Sequence, residues 1–532
     1  MAIINQYDKR SGITYVYESI SYWDREKKQP RAKRKLIGKR HPETGEIIPT
    51  DGRGKKRNKE EKSKPFPIDK SPIRRTFYGA TYLLDEIGKK LGVTHDLKRC
   101  FPTSYTVIQS IAYYLILESD TPLFRFEKWS ALHKHPHGEN IPSQRSSEHF
   151  SRITEEAKST FFKLQRQRYR EDEYWAYDTT SISSYAQTLR QVQFGNNKEN
   201  DRLPQINLAL VFGQQSGLPF YYRKLSGNIP DVSTLKTLLG DFKRLGFHKV
   251  KLVMDRGFYS ESNLNGLFRE HLKFILGVRT SLSFVRQGID TVYETLRSYQ
   301  NLDEQSGLYA TTLLREWTYR QRRPYKKDEI IAPRRIYLHI YFNSEKYVED
   351  EAAFDRKLLT LKHDLEQGKR HPEHETFYKK YFTMKETPVR GAHITVNEGA
   401  VREIKRYYGF FTLVSNEKMD AKTALDLYRN KDLIEKSFGN IKERLNLRRL
   451  LVSSEKSLGG KLFVAFVALI YLSHIKKGMR QSGLAKDHTL QSLLDKLDLI
   501  ECFEHPGYAL QVGEVLSKQR KIYEMLGIDP PA

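Results

Sequence analysis

Hydrophobic positions change period several times along the 532-residue chain, and each change predicts a new kind of element. Residues 13–22 alternate apolar and polar, residues 23–30 are turn-like and residues 31–37 alternate again, which predicts a β-hairpin. From Tyr78 the spacing turns helical. It predicts helices over 78–91, stopped by Gly92, over 105–118 behind the capping candidates Thr103 and Ser104, over 122–133 and over 143–170. At Glu173 strand patterns take over: 175–182, 205–213 and 219–225, then a helix over 232–245 with Asp231 as cap candidate. A strand over 250–254, a helix over 260–271 and a strand over 274–278 follow.

Three strands in a meander, then helix, strand, helix, strand, predict an α/β domain: a mixed sheet with helices on both faces, in the order of a ribonuclease-H-like fold. Such a fold expects one more acid-bearing helix, and the chain delays it. Residues 281–400 differ in texture, with strands near 308–319 and 335–342, a charged helix near 349–369, and Trp317 among Arg320, Arg322, Arg323, Lys326, Lys327, Arg334 and Arg335. They read as a mainly β insertion domain. The sheet pattern resumes at 407–414, a helix is predicted over 426–447, and residues 458–475 read as a core helix. The expected divisions are a basic hairpin and arm (1–77), a helical region (78–170), the core's first part (171–280), the insertion (281–400), the core's second part (401–475) and a helical C-terminal region (476–532).

Charge then narrows the partners. Against 65 Asp and Glu stand 91 Lys and Arg, a formal charge of +26, with 12% aromatic residues. A field of that sign favours a polyanion, and nucleic acid is the commonest, although an anionic membrane surface attracts the same charge. The turn and second strand of the hairpin and the lysine-rich run at 53–64 suit phosphate contact, and the helices between 78 and 170 suit a duplex-binding module. Only Cys100 and Cys502 occur, in no metal-ligand spacing, which points to a reducing compartment. No apolar leader opens the sequence, and the most apolar run, 462–472, is too short to span a bilayer. A cytoplasmic protein is therefore expected.

Chemistry concentrates on three acids. Asp178 lies inside the first strand, Asp255 follows the fourth, and Glu435 sits on the late helix. First and fourth strands are neighbours in a ribonuclease-H-like sheet, so Asp178 and Asp255 should meet at one edge with Glu435 across from them. Three converging carboxylates need cations, and oxygen donors suit Mg²⁺ or Mn²⁺. Two such ions can promote phosphodiester cleavage and strand transfer. On an ideal helix Tyr428, Lys431, Glu435 and Lys442 fall within roughly 40° of one line, beside an apolar stripe of Leu427, Ile434, Phe438, Ile441 and Leu445. An ordinary i,i+4 pair accounts equally well for Lys431 and Glu435 in isolation. His133, His135 and His137 share a loop, open to a metal or a structural role.

These residues resemble the DDE transposases of bacterial insertion sequences, in the insertion-sequence-four superfamily and its group named for a Tyr, Arg, Glu, Lys signature. The likeness rests on YRNKDLIEKSFGNIK from Tyr428 to Lys442, AYDTTSIS around Asp178, Gly227 and Asn228 followed by Asp231, and MDRGF around Asp255. It spans about 173–477. The resemblance implies metal-dependent cutting and joining of double-stranded DNA at terminal inverted repeats, with Asp178, Asp255 and Glu435 as catalytic metal holders and a homodimer on paired ends. It implies DNA contacts from Tyr428, Lys431, Lys442 and Arg256, and base stacking by Trp317, where an ordinary core role stays open. Lys431 departs from the signature's Arg, which keeps the charge and loses bidentate phosphate recognition. An endonuclease of the same fold without strand transfer and a DNA-binding regulator derived from a transposase are the alternatives.

Overall fold

The hairpin expected near the N-terminus belongs to a larger sheet. Strands β1 (Ala2–Asp8), β2 (Ile13–Asp24), β3 (Gln29–Arg40) and β4 (Ile47–Ile48) lie side by side, all antiparallel. The computed structural model describes residues 1–25, 27–50, 73–166, 172–186, 188–199, 201–323, 328–387, 391–447, 452 and 454–532. The expected basic arm at 53–64 and Lys326 and Lys327 lie outside them. The chain divides into two units, Met1–Pro72 and Ile73–Ala532.

In the second unit β5 (Arg74–Phe77) leads into α1 (Gly79–Lys90), α2 (Val93–Cys100), α3 (Tyr105–Leu117), α4 (Phe126–Leu132), α5 (Ser143–Ser151) and α6 (Glu155–Arg166). The single helix expected over 143–170 is thus two. Five strands then form the centre: β6 (Tyr174–Ser183), β7 (Gln205–Gly213), β8 (Pro219–Ser226), β9 (Lys251–Met254) and β10 (Lys273–Val278), with α7 (Asp231–Leu245) between β8 and β9 and α8 (Glu261–Arg269) between β9 and β10. Their spatial order is β8-β7-β6-β9-β10, antiparallel through the meander and parallel from β6 onward. First and fourth strands are neighbours, as the pattern required.

Residues 281–400 do not stand apart from this sheet. After α9 (Ser283–Val292) come β11 (Leu302–Asp303), β12 (Leu308–Arg323) and β13 (Asp328–Phe342). Then follow α10 (Ser344–Glu366), α11 (Glu375–Tyr381), β14 (Phe382–Thr387), β15 (Gly391–Val396), α12 (Glu398–Lys405) and β16 (Phe410–Ser415). β13 pairs with β16 and β16 with β10, so β11, β12 and β13 extend one nine-stranded sheet. The apolar halves Leu308–Leu314 and Ile336–Phe342 account for that. Only α10 to α12 with β14 and β15 keep a core of their own, around Leu361, Leu365, Tyr378 and Tyr381.

The central strands are covered on both faces. Leu252, Met254, Phe274 and Leu276 point into the main core, while Val253 and Ile275 point oppositely onto Ala421, Ala424 and Leu425 of α13 (Ala421–Arg429). The chain closes with α14 (Asp432–Gly439), α15 (Glu455–Ser482), α16 (Leu490–Asp498), β17 (Glu501–Glu504), β18 (Gln511–Val512) and α17 (Ser517–Met525). At 28 residues α15 exceeds the apolar run that marked it and is long enough to cross a membrane, but it is buried almost throughout. α5 crosses it at Gly460, where a Cβ would lie 2.0 Å from the Phe150 carbonyl oxygen. The helical region of the first half therefore wraps the same core helix that backs the sheet. β17 pairs with β5, tying the end of the chain to the start of this unit.

Candidate active site

The last ladder pair between β6 and β9 is Tyr177 with Met254, so Asp178, inside β6, and Asp255, just past the end of β9, lie one residue further on along neighbouring strands. Asp178 accepts the Thr179 N–H at 2.7 Å and keeps 19% side-chain exposure. Burial pushes its carboxyl up to about 6, against the pull of Lys198 and Lys431. Lys198 is a residue the sequence did not single out. Its ammonium donates to the Thr179 carbonyl at 2.7 Å and the Thr179 hydroxyl at 3.0 Å, and lies 3.1 Å from Asp231 and 4.0 Å from Asp178. Asp231 does not cap α7 as expected: it follows the N-cap Pro230 as the first helical residue, and its carboxylate instead accepts the Thr179 hydroxyl and braces the strand carrying Asp178.

Asp255 is held differently. One oxygen accepts the Arg256 N–H and the Tyr428 hydroxyl, each at 2.7 Å. Burial opposes its charge, but those two bonds and the charges of Lys431 and Arg256 hold the carboxyl below its ordinary value. The tyrosine reaches it over Gly277 of β10, where a Cβ would lie 2.9 Å from both the Tyr428 oxygen and the Arg256 nitrogen. Burial and the Asp255 charge in turn drive the Tyr428 hydroxyl well above its usual range.

The single helix expected over 426–447 is broken. α13 ends at Arg429 and α14 starts at Asp432; between them the Lys431 N–H bonds to Tyr428 and the Ile434 N–H to Lys431, three residues back instead of four. Residues Asn440–Arg444 then widen into a π turn. Each change alters the rotation per residue, so the four polar side chains do not share one line. Tyr428 meets Asp255. Lys431 meets Glu435 at 2.7 Å and lies 5.6 Å from the Tyr428 ring centre. Lys442 pairs with Glu199 on the loop before β7.

Asp178 and Asp255 are thus brought together, and Glu435 joins them through an amine. Burial disfavours the Lys431 charge, yet the bond to Glu435 and the charges of Asp255, Glu435 and Asp178 raise its pKa. Lys431 keeps 17% side-chain exposure and Glu435 51%. Among the described residues no three His, Cys, Asp or Glu side chains form a metal-holding group. The donor chemistry still fits a hard divalent cation: the acids supply only oxygens, and the buried Asp178 carboxyl lacks full charge compensation.

The remaining expected residues lie around this centre. Arg256 lines a cavity of about 630 Å³ with Lys198, Asp231, Asn207, Asn228 and Arg279, a cationic hollow beside Asp178. Trp317, on β12, donates from Nε1 to Asn265 of α8 at 2.9 Å and packs edge-on against Phe284. The loop histidines are structural. His133 stacks on Trp129 and bonds Asp498, and His135 bonds Ser110 while burial lowers its pKa to about 4. Lys198 and Gly277 gave no signal in the sequence, since each acquires its role only from tertiary neighbours, Lys198 from Thr179 and Asp231 and Gly277 from Arg256 and Tyr428.

The family described as Transposase DDE domain matches residues 159–472. Among solved structures, a piggyBac transposase synaptic complex with hairpin DNA matches at 9% identity and a TM-score of 0.37, over 79% of this chain and 77% of that one. No curated protein sequence matches the chain.

Proposed function

Because the chain belongs to the transposase DDE-domain family, we propose that it is an insertion-sequence transposase of the insertion-sequence-four superfamily, in the Tyr-Arg-Glu-Lys group. It binds the terminal inverted repeats of its element, cuts the DNA and joins the freed 3′-hydroxyl to target DNA. The observation that carries this reading is the placing of Asp178 and Asp255 side by side on neighbouring strands, Asp178 within β6 and Asp255 just past β9, with Glu435 linked to both through Lys431. The strand order β8-β7-β6-β9-β10 supports a ribonuclease-H-like core.

Asp178, Asp255 and Glu435 would hold two Mg²⁺ or Mn²⁺ ions. When bound, such ions supply Lewis acidity to the attacking and leaving oxygens of a phosphodiester. The chain's own residues prepare that chemistry. Tyr428 and the Arg256 N–H keep Asp255 ionised, Thr179 and Lys198 fix the strand carrying Asp178, and the two aspartates are anchored by neighbouring strands, Asp178 within β6 and Asp255 just past β9. Arg256, Lys431 and Lys442 offer charge to DNA phosphates. Trp317 serves as a base platform only if its bond to Asn265 opens. Two copies on paired ends complete the synaptic assembly, in the cytoplasm.

The test is cleavage and strand transfer on DNA carrying the element's ends, with Mg²⁺ or Mn²⁺, for wild type and Asp255→Ala. Metal-dependent joined products that vanish in the variant, while DNA binding persists, support the reading. Cleavage without joining would move it to an endonuclease, and binding without cleavage in both proteins to a regulator.

A further inference from the structure

The first unit carries a feature that the chemistry above does not use. β1 pairs with β2 only as far as Ser19, and β4 pairs with β3 only at Lys39 and Arg40. From Ile20 to Asp24 and from Gln29 to Lys33, β2 and β3 pair with each other alone among the described residues, in five facing pairs. This is a two-stranded ribbon about 17 Å long at 3.4 Å per residue. Nothing buries it. Tyr22 and Trp23 are exposed, the latter at 62%, as are Arg25, Lys27, Lys28, Arg31 and Lys33. Residues 20–35 hold seven Lys and Arg against two acids. Of those acids, Asp24 is engaged within the turn, accepting the Lys27 N–H, with Arg31 3.7 Å away.

An isolated two-stranded ribbon with aromatic residues in water is marginal by itself, so its sequence is better suited to a bound than a free state. The charge selects a polyanion, and the dimensions select among polyanions. Two strands about 4.8 Å apart, with side chains on both faces, match the roughly 12 Å major groove of B-form DNA. The deep, narrow major groove of A-form RNA does not admit them.

We propose that the β2–β3 ribbon inserts into the major groove of duplex DNA. Arg31 and Lys33 on one face and Lys27 and Lys28 at the turn reach the flanking phosphates, and Tyr22 and Trp23 contact the groove. The commitment to DNA rests on the transposase reading; the ribbon's geometry does not.

The test uses the full chain in EDTA, so that binding is read without cleavage, with a 20-base-pair DNA duplex and the matching RNA duplex. The triple variant Lys28→Gln, Arg31→Gln, Lys33→Gln should make the slope of log affinity against log salt shallower by about 2.7, at about 0.9 per lost phosphate contact, and should weaken binding about five-hundredfold near 0.1 M salt. Trp23 is far more exposed than Trp129 and Trp175, so acrylamide quenching that disappears in Trp23→Phe reports the ribbon directly. DNA should shield that signal and duplex RNA should not. The proposal is overturned if the triple variant keeps its affinity and slope, if Trp23 stays equally quenchable in saturating DNA, or if Trp23 is already shielded without DNA by another copy of the chain. Unaltered binding by a triple variant that still cleaves with metal overturns the ribbon and leaves the transposase reading. Shielding of Trp23 in a protein that never cleaves does the reverse.

Discussion

Gly277→Ala should damage the site through a single contact. The added methyl would lie 2.9 Å from the Tyr428 hydroxyl oxygen and from the Arg256 backbone nitrogen, about 0.6 Å inside ordinary contact. Either the backbone of β10 moves away from Arg256, or Tyr428 withdraws from Asp255. Overpacking of this kind costs about 1–3 kcal/mol. Withdrawal of the tyrosine also forfeits a hydrogen bond to a charged group, worth about 1.5–3 kcal/mol. In Tyr428→Phe that oxygen is gone, so part of the clash and the entire bond are already absent. The two substitutions should therefore be non-additive, with a coupling of about 1 kcal/mol or more in urea denaturation of the metal-free chain. Cleavage should fall in both single variants, because each leaves Asp255 with the Arg256 N–H as its one remaining described donor. Additive costs would refute the reasoning, as would a Gly277→Ala protein as stable and active as wild type.

Three other outcomes are expected. Asp178→Asn should abolish cleavage yet stabilise the metal-free fold: the folded carboxyl titrates near 6 and the unfolded one near 3.8, so the ionised form costs up to about 3 kcal/mol above pH 6 and about 1 kcal/mol at pH 4.5, and melting in EDTA should show the gap closing as pH falls. His339 is buried between Thr312 and Ser415, with burial lowering its pKa from 6.5 to about 4. A depressed histidine gives stability that is complete above pH 6.5 and lost on acidification toward 4, about 2 kcal/mol by pH 5, so His339→Asn should lose less melting temperature than wild type between pH 7 and pH 5. Gly460→Ala should cost about 3 kcal/mol by wedging α5 off α15, seen as a lowered melting temperature, and a neutral result would contradict the close crossing.

The central sheet was legible because its strands are buried on both faces and so appear as unbroken apolar runs. Strands predicted at 205–213, 219–225 and 274–278 differ from the observed ones by no more than a residue at either end. Asp178 and Asp255 followed from that order alone. The helix carrying Tyr428 and Glu435 was not legible in detail, since Leu427, Ile434 and Phe438 keep helical spacing straight through the break. What breaks the helix is tertiary: Tyr428 is drawn to Asp255 and Lys442 to Glu199, and 3₁₀ and π turns absorb the difference in rotation. The stretch 281–400 read as separate because the outer half of β12 is arginine-rich and that of β13 is largely exposed, while the inner halves that extend the sheet are short apolar segments any domain could own. β1 and β4 escaped because Val16 is the one apolar side chain fully buried among the described residues of their unit, too little burial to impose a pattern.

Lysine in place of arginine at 431 makes sense in this geometry. Asp178 and Asp255 are fixed by neighbouring strands and backbone donors, so in the proposed trio of metal holders Glu435 is the member free to move. It is half-exposed, and a pair of that kind contributes only about 0–1 kcal/mol, so releasing it costs little. A guanidinium would grip the carboxylate with two parallel bonds, whereas an ammonium neutralises as a point charge. Lys431 also carries the attraction of all three acids at once. Without metal it adds its charge to the Tyr428 and Arg256 bonds that keep Asp255 ionised, and on its withdrawal three oxygen-donor side chains would be left sharing one unmet demand for positive charge. A lysine at 431 thus suits the proposed site, in which the third carboxylate would be released to the metal.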